Sequence, residues 1–182
     1  MKILTLNIRQ GGGTRLDKLI TRLLSANVDT LVLTEFRENQ HSATIKNALI
    51  GAGYLWQASC LNEPNINSIL IASRFEFENT CLDDLPECCD HRALLLKFPT
   101  FSLLAVYFAQ RNEKQVLFDY ISDKCIQQLM PKGIVIGDFN TGKPFLDEPK
   151  KSFACIDAFI NLENIDLVDS WRSSNLELME FS

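Results

Sequence analysis

Short apolar runs alternate with segments of helical period along the chain. Lys2–Ile8 reads as a first strand, followed by a Gly11-Gly12-Gly13 loop. The period then changes: Leu16, Leu19, Ile20, Leu23 and Leu24 fall at i, i+3, i+4, i+7 and i+8, one face of a helix that begins at Thr14. Thr14 and Asp17 have capping-box spacing, and Asn27 is the expected stop. Thr30–Thr34 is a buried strand ending at Glu35, and Thr44–Ile50 a short helix closed by Gly51 and Gly53. Three further β-type runs follow, Ser68–Ser73, Arg92–Phe98 and Phe101–Phe108, the last two joined by a Pro99-Thr100 turn. Glu113–Leu129 has helical spacing through Val116, Leu117, Tyr120, Ile121 and Leu129, and Pro131 ends it. Gly133–Gly137 is another apolar strand, and Phe153–Leu162 a last amphipathic helix. The pattern predicts one α/β domain over residues 1–182 with a large sheet component, and leaves the strand order open.

Composition narrows the function classes. A hydrophobic content of 46% fills a substantial core, and a 23% share of charged residues is that of a folded chain. The net charge of −5 and pI of about 5.1 argue against a passive nucleic-acid coat protein. They leave room for an enzyme that meets phosphates through a divalent cation, which supplies the missing positive charge. Apolar stretches such as Ala93–Leu96 and Leu103–Phe108 fall far short of the roughly 20 residues a bilayer needs. Thr5, Asn7 and Arg9 interrupt the N-terminal apolar run, so it reads as a strand rather than a signal peptide. Six scattered cysteines are expected as reduced thiols in a cytoplasmic protein.

Four polar residues stand where apolar strands run out: Asn7, Glu35, Asp138 and Asn140. Taken singly, each has an ordinary use as a loop or turn former. Together they make a hard, all-oxygen set at strand ends, where sites in α/β folds gather. That set suits magnesium, which keeps several waters and takes one or two protein carboxylates.

On these residues the sequence resembles the endonuclease/exonuclease/phosphatase superfamily. Lys2–Ile8 is similar to its opening strand, whose Asn assists the metal site, and Leu31–Arg37 to its second motif, whose Glu is the principal metal ligand. Ile134–Asn140 resembles the third motif, in which Asp orients or deprotonates the attacking water and Asn contacts the phosphate. Asn67–Arg74 is similar to the family strand ending in Ser-Lys or Ser-Arg. His91-Arg92 resembles the Arg ahead of the next strand, an implied phosphate contact. Val106–Ala109 resembles the strand whose Tyr faces the scissile phosphate, with Ala109 in place of the usual Pro. Leu167–Arg172 is similar to the segment leading toward the C-terminal sheet.

The resemblance implies a deoxyribonuclease I-like four-layer sandwich, two mostly antiparallel sheets flanked by helices. It also implies a nuclease or phosphodiesterase/phosphatase using Mg2+ or Mn2+. Glu35 and Asn7 would serve the metal, Asp138, Asn140 and Tyr107 catalysis, and Arg92 and Asn140 substrate binding. The substrate would be nucleic acid or a small phosphorylated molecule.

The pattern departs in one place: the family's later Arg-Ile-Asp and Ser-Asp-His motifs are missing, and the only histidines are His41 and His91. The fold is therefore expected to be C-terminally incomplete, with an uncovered edge on its second sheet and impaired turnover. The alternative function is a non-catalytic or vestigial domain. Two rival readings are set aside. Gly137–Pro144 has P-loop spacing, but Pro144 replaces the Ser/Thr and Asp138 puts an anion in the loop. Cys81, Cys88, Cys89 and His91 lack zinc-knuckle spacing. Trp56 and Trp171 are expected in the core.

Overall fold

A computed structural model describes residues 1–60 and 63–175 of the chain, which form two compact units. The first comprises Met1–Tyr107 and Leu129–Asp138; the second comprises Phe108–Gln128 and the described part of 139–182.

In the first unit β1 (Ile3–Asn7) leads through a 3₁₀ turn to α1 (Leu16–Ser25), β2 (Thr30–Phe36) and α2 (Ser42–Gly51). There follow β3 (Trp56–Ser59), β4 (Ser68–Ser73), β5 (Glu78–Thr80) and the hairpin of β6 (Ala93–Phe98) and β7 (Phe101–Tyr107). The second unit supplies α3 (Gln115–Tyr120), which runs through a π-helical turn at Ile121–Cys125 into α4 (Ile126–Leu129). The chain returns to the first unit for β8 (Gly133–Asp138), then forms α5 (Ile156–Asn164) and α6 (Ser170–Ser174) in the second.

The strands make two four-stranded sheets, ordered β1-β2-β4-β3 and β5-β6-β7-β8. Among the described residues only β1–β2 and β7–β8 pair in parallel as strands, so both sheets are mostly antiparallel as expected. The two-residue alternation of β2 and β4 explains why both read as continuous apolar runs. Leu31, Leu33, Leu70 and Ala72 pack with Leu23 of α1, Ile45 and Leu49 of α2, and Tyr54. Val32, Ile69 and Ile71 of the same strands pack instead with Leu94, Leu96, Phe98, Leu103, Ala105 and Tyr107 of the second sheet. Each such fully buried aliphatic side chain contributes about 1.5–3 kcal/mol, and the central pair of strands contributes on both of its faces.

Four expectations need correction. The Thr14–Asp17 box does not form: a 3₁₀ turn over Gly13–Arg15 precedes α1, and its N-cap, Arg15, makes no side-chain cap. Val116 is 40% exposed, and Phe118 takes the buried place on α3. Trp171 is 37% exposed rather than core, its ring carrying the Arg172 guanidinium 4.7 Å from the centroid. Trp56 is half-buried, at the end of the short edge strand β3.

The second unit is organised by phenylalanines. Phe108 stacks on Phe118 (4.2 Å) and Phe139 (5.1 Å), while Phe159 of α5 meets Phe118 and Phe139 edge-on. Asp147 joins two segments here, accepting from Lys143 N and pairing with Arg172, each at 2.6 Å. Lys143, the lysine of the P-loop-like spacing, pairs with Glu163 at 2.6 Å.

Candidate functional site

The ends of three strands in the first unit carry the site. β1 stops at Asn7, and residues 9–13 then run in the left-handed region, with φ of 51, 61, 76, 85 and 49°. Arg9 and Gln10 are not glycines, and such a conformation costs each of them about 1–2 kcal/mol. What this strained turn achieves is visible in its N–H groups. Arg9 N donates to Asn7 Oδ1 at 2.9 Å and Gln10 N to Glu35 Oε2 at 3.1 Å. Gly11 N donates to the Glu35 carbonyl and Gly12 N closes the turn on the Ile8 carbonyl.

Glu35 is itself out of the regular ladder. The β2–β4 register shifts between Thr34 and Phe36, and Glu35 at the bulge has φ 55°. A bulge re-aims one side chain without disturbing its neighbours, so Thr34 and Phe36 stay buried while Glu35 is only partly so.

Asp138 ends β8, opposite Tyr107 of β7. The residue before it must be Gly137: a Cβ there would lie 1.8 Å from the Val106 carbonyl oxygen. This close approach of β7 and β8 fixes where Asp138 emerges. Asn7 then joins the two acids, its Nδ2 donating to Glu35 Oε1 at 2.8 Å and to Asp138 Oδ2 at 2.9 Å. The amide nitrogen faces both carboxylates because its oxygen is occupied by Arg9 N. Three predicted residues, separated by 28 and 131 positions, are thus brought together.

Tyr107 is 93% buried, and its hydroxyl is held above the usual tyrosine range, chiefly by burial. The Glu35 and Asp138 charges push it further up, while a hydrogen bond from Asn67 and the charge of Arg92 oppose them. Arg92 lies 5.4 Å from the Tyr107 ring centroid and donates weakly to its carbonyl at 3.4 Å, so it packs on Tyr107. Sequence reasoning assigned no role to Asn67 or Arg37, yet Asn67 Nδ2 donates to Tyr107 Oη at 3.3 Å and Arg37 Nε to Asn67 Oδ1 at 2.6 Å. Their positions just outside β2 and β4 were the only available signal.

Asn140 belongs to the second unit and has φ 49°, a conformation asparagine tolerates. Its Nδ2 donates to the Phe108 carbonyl at 2.7 Å, and its Oδ1 accepts from Gln110 at 2.6 Å. The Lys114 ammonium, on a side chain only 2% exposed, donates to the Asn140 carbonyl. Gln110 and Lys114 also escaped sequence reading. Among the described residues no three His, Cys, Asp or Glu side chains gather as a metal cluster, so the oxygen donors the cluster offers are the Glu35 and Asp138 carboxylates, braced by the Asn7 NH2 group.

No protein-family model matches the sequence, and no curated protein does. Solved structures do. A 3′-5′ exonuclease from Neisseria meningitidis superposes with TM-score 0.81 at 22% identity, covering 98% of this chain and 76% of that one. A 3′ phosphatase from Neisseria bound to product DNA hairpin gives the same figures. An AP endonuclease from Archaeoglobus fulgidus gives TM-score 0.70 at 21% identity over 95% of this chain and 74% of that one. What these proteins share with it is architecture: the chain has the deoxyribonuclease I-like fold.

Proposed function

We propose that this protein is a magnesium-dependent phosphoester hydrolase acting on nucleic-acid phosphoesters. The observation that carries the reading is the Asn7 amide donating to both Glu35 and Asp138, two acids delivered by different sheets. The exonuclease and the DNA-bound phosphatase of the same fold support the substrate class.

The donor set fits the metal that the fold family implies: two carboxylates and no sulfur or imidazole is a choice for a hard cation. Glu35 would hold it, with Asn7 and the Gln10 N–H fixing the carboxylate's direction. When bound, magnesium supplies positive charge that offsets the charge developing on the phosphoryl group. Asp138 takes a proton from the attacking water as its oxygen bonds to phosphorus and the ester P–O bond breaks. Base catalysis of this kind contributes about 10²–10⁴-fold. The protonated Tyr107 hydroxyl donates to a phosphoryl oxygen. Asn140 is proposed to donate to another, and Arg92 to supply positive charge near it.

The test is a panel of duplex DNA, RNA, a 3′-phosphorylated DNA hairpin and sugar phosphates, with and without magnesium, on wild type and Glu35→Ala. Cleavage that needs both the metal and Glu35 is expected. Hydrolysis indifferent to either one would reject the mechanism.

A further inference from the structure

Resting on that reading, we propose that Asn67, clamped by Arg37, is a positioning residue that turns the Tyr107 hydroxyl proton toward the substrate phosphate.

Phe36 and Ser68 are Cα partners across the β2–β4 bulge, so the next residues outward, Arg37 and Asn67, leave the sheet side by side. Arg37 Nε donates to Asn67 Oδ1 at 2.6 Å, a short charge-assisted bond. An asparagine amide can be flipped either way at small cost in shape, and here a cation decides: the oxygen faces Arg37, leaving the NH2 end for Tyr107. Asn67 Nδ2 then donates to Tyr107 Oη at 3.3 Å. A phenolic oxygen that accepts from Asn67 cannot also direct its own proton there. The ring is fixed too, 93% buried and carrying the Arg92 guanidinium on its face. The O–H is therefore presented as a donor of set direction, able to stabilise an anionic oxygen without reorganising first.

The arrangement predicts a hierarchy. Asn67→Ala removes the constraint on the hydroxyl but leaves the hydroxyl itself. Asn67→Asp keeps the size and the partnership with Arg37, yet substitutes a carboxylate that accepts the Tyr107 proton and draws it from the substrate. Both act through Tyr107, so neither should matter once that hydroxyl is gone.

The experiment is a double-mutant cycle on a fluorescein-labelled, 3′-phosphorylated DNA hairpin with magnesium, with thermal unfolding of every variant. Asn67→Ala is expected to lower kcat about 10–100-fold with KM within about threefold, the signature of an interaction made in the transition state. Asn67→Asp should lower kcat at least as far, and being isosteric it serves if Asn67→Ala does not fold. Either change combined with Tyr107→Phe should be no slower than Tyr107→Phe alone. Losses that multiply in the double variant, an unchanged kcat in Asn67→Asp, or a loss confined to KM would overturn the proposal while leaving the hydrolase reading intact. Where wild type acts instead on another member of the panel, the same cycle is read on that substrate; a wild-type chain inactive on all of them would overturn both.

Discussion

Gly137→Ala isolates the geometry on which Asp138 depends. The added Cβ would sit 1.8 Å from Val106 O, 2.8 Å from Val106 C and 3.0 Å from Val106 N. All three are backbone atoms of β7, so no rotamer change relieves the overlap, and φ of 151° is itself unusual for an L side chain. Ordinary contact begins near 3.4 Å, so β7 and β8 must separate by more than an ångström at the Val106–Gly137 pair. Overpacking typically costs about 1–3 kcal/mol, and a clash with backbone that no rotamer relieves is expected at or above the top of that range, about 3–5 kcal/mol. For a chain of this size each kcal/mol shifts Tm by about 2–4 °C, which gives a fall of roughly 6–20 °C. Circular dichroism melts alongside Gly51→Ala make the comparison, since nothing lies within 4 Å of a Cβ at Gly51. Because Asp138 is the next residue, any folded Gly137→Ala protein should also have lost most of its magnesium-dependent activity. Equal melting temperatures for the two variants, within about 2 °C, would refute the reasoning.

Three other perturbations probe the site. Asn7→Ala removes the donor shared by Glu35 and Asp138, and a loss of about 2–3 kcal/mol is expected in kcat/KM together with weaker magnesium binding by calorimetry; unchanged magnesium affinity would count against the bridge. Gln10→Gly keeps the N–H that meets Glu35 and relieves a non-glycine φ of 61°, so Tm should hold or rise while activity persists; lost activity in a stable variant would assign the side chain a role. The raised Tyr107 hydroxyl sets a sign for pH: the unfolded tyrosine ionises first, so its stabilising contribution is complete below about pH 10 and fades as pH climbs through the folded value. Wild type should therefore lose stability above pH 10 more steeply than Tyr107→Phe in chemical denaturation, and parallel curves would argue against the shift.

The sheets were legible in the sequence because burial on both faces writes an unbroken apolar run, as in β2 and β4. The acids and carboxamides were legible because they end such runs. Two of the edge strands were not: β3 and β5 hold four and three residues and carry no strong period of their own, whereas the edge strands β1 and β8 write clear apolar runs. The long helical stretch is legible from its period, but its segmentation into 3₁₀, α and π-helical turns is not, and on α3 itself Phe118 rather than Val116 takes the buried place. Within the site, the Glu35 bulge arises from pairing with β4, a long-range event with no local signature. Asn67 and Arg37 owe their contact to that same pairing, so they too are silent until the strands are aligned.

Two of the donors that orient the acidic cluster are peptide groups, at positions 9 and 10. Side-chain scanning is blind to them, since every residue except proline keeps the same N–H. Evolution can accordingly rewrite both side chains while the machinery they serve persists, and variability there would not signal irrelevance. Chemical synthesis with an amide-to-ester replacement at residue 10 would expose the contribution directly, exchanging that N–H for an ester oxygen while keeping the side chain.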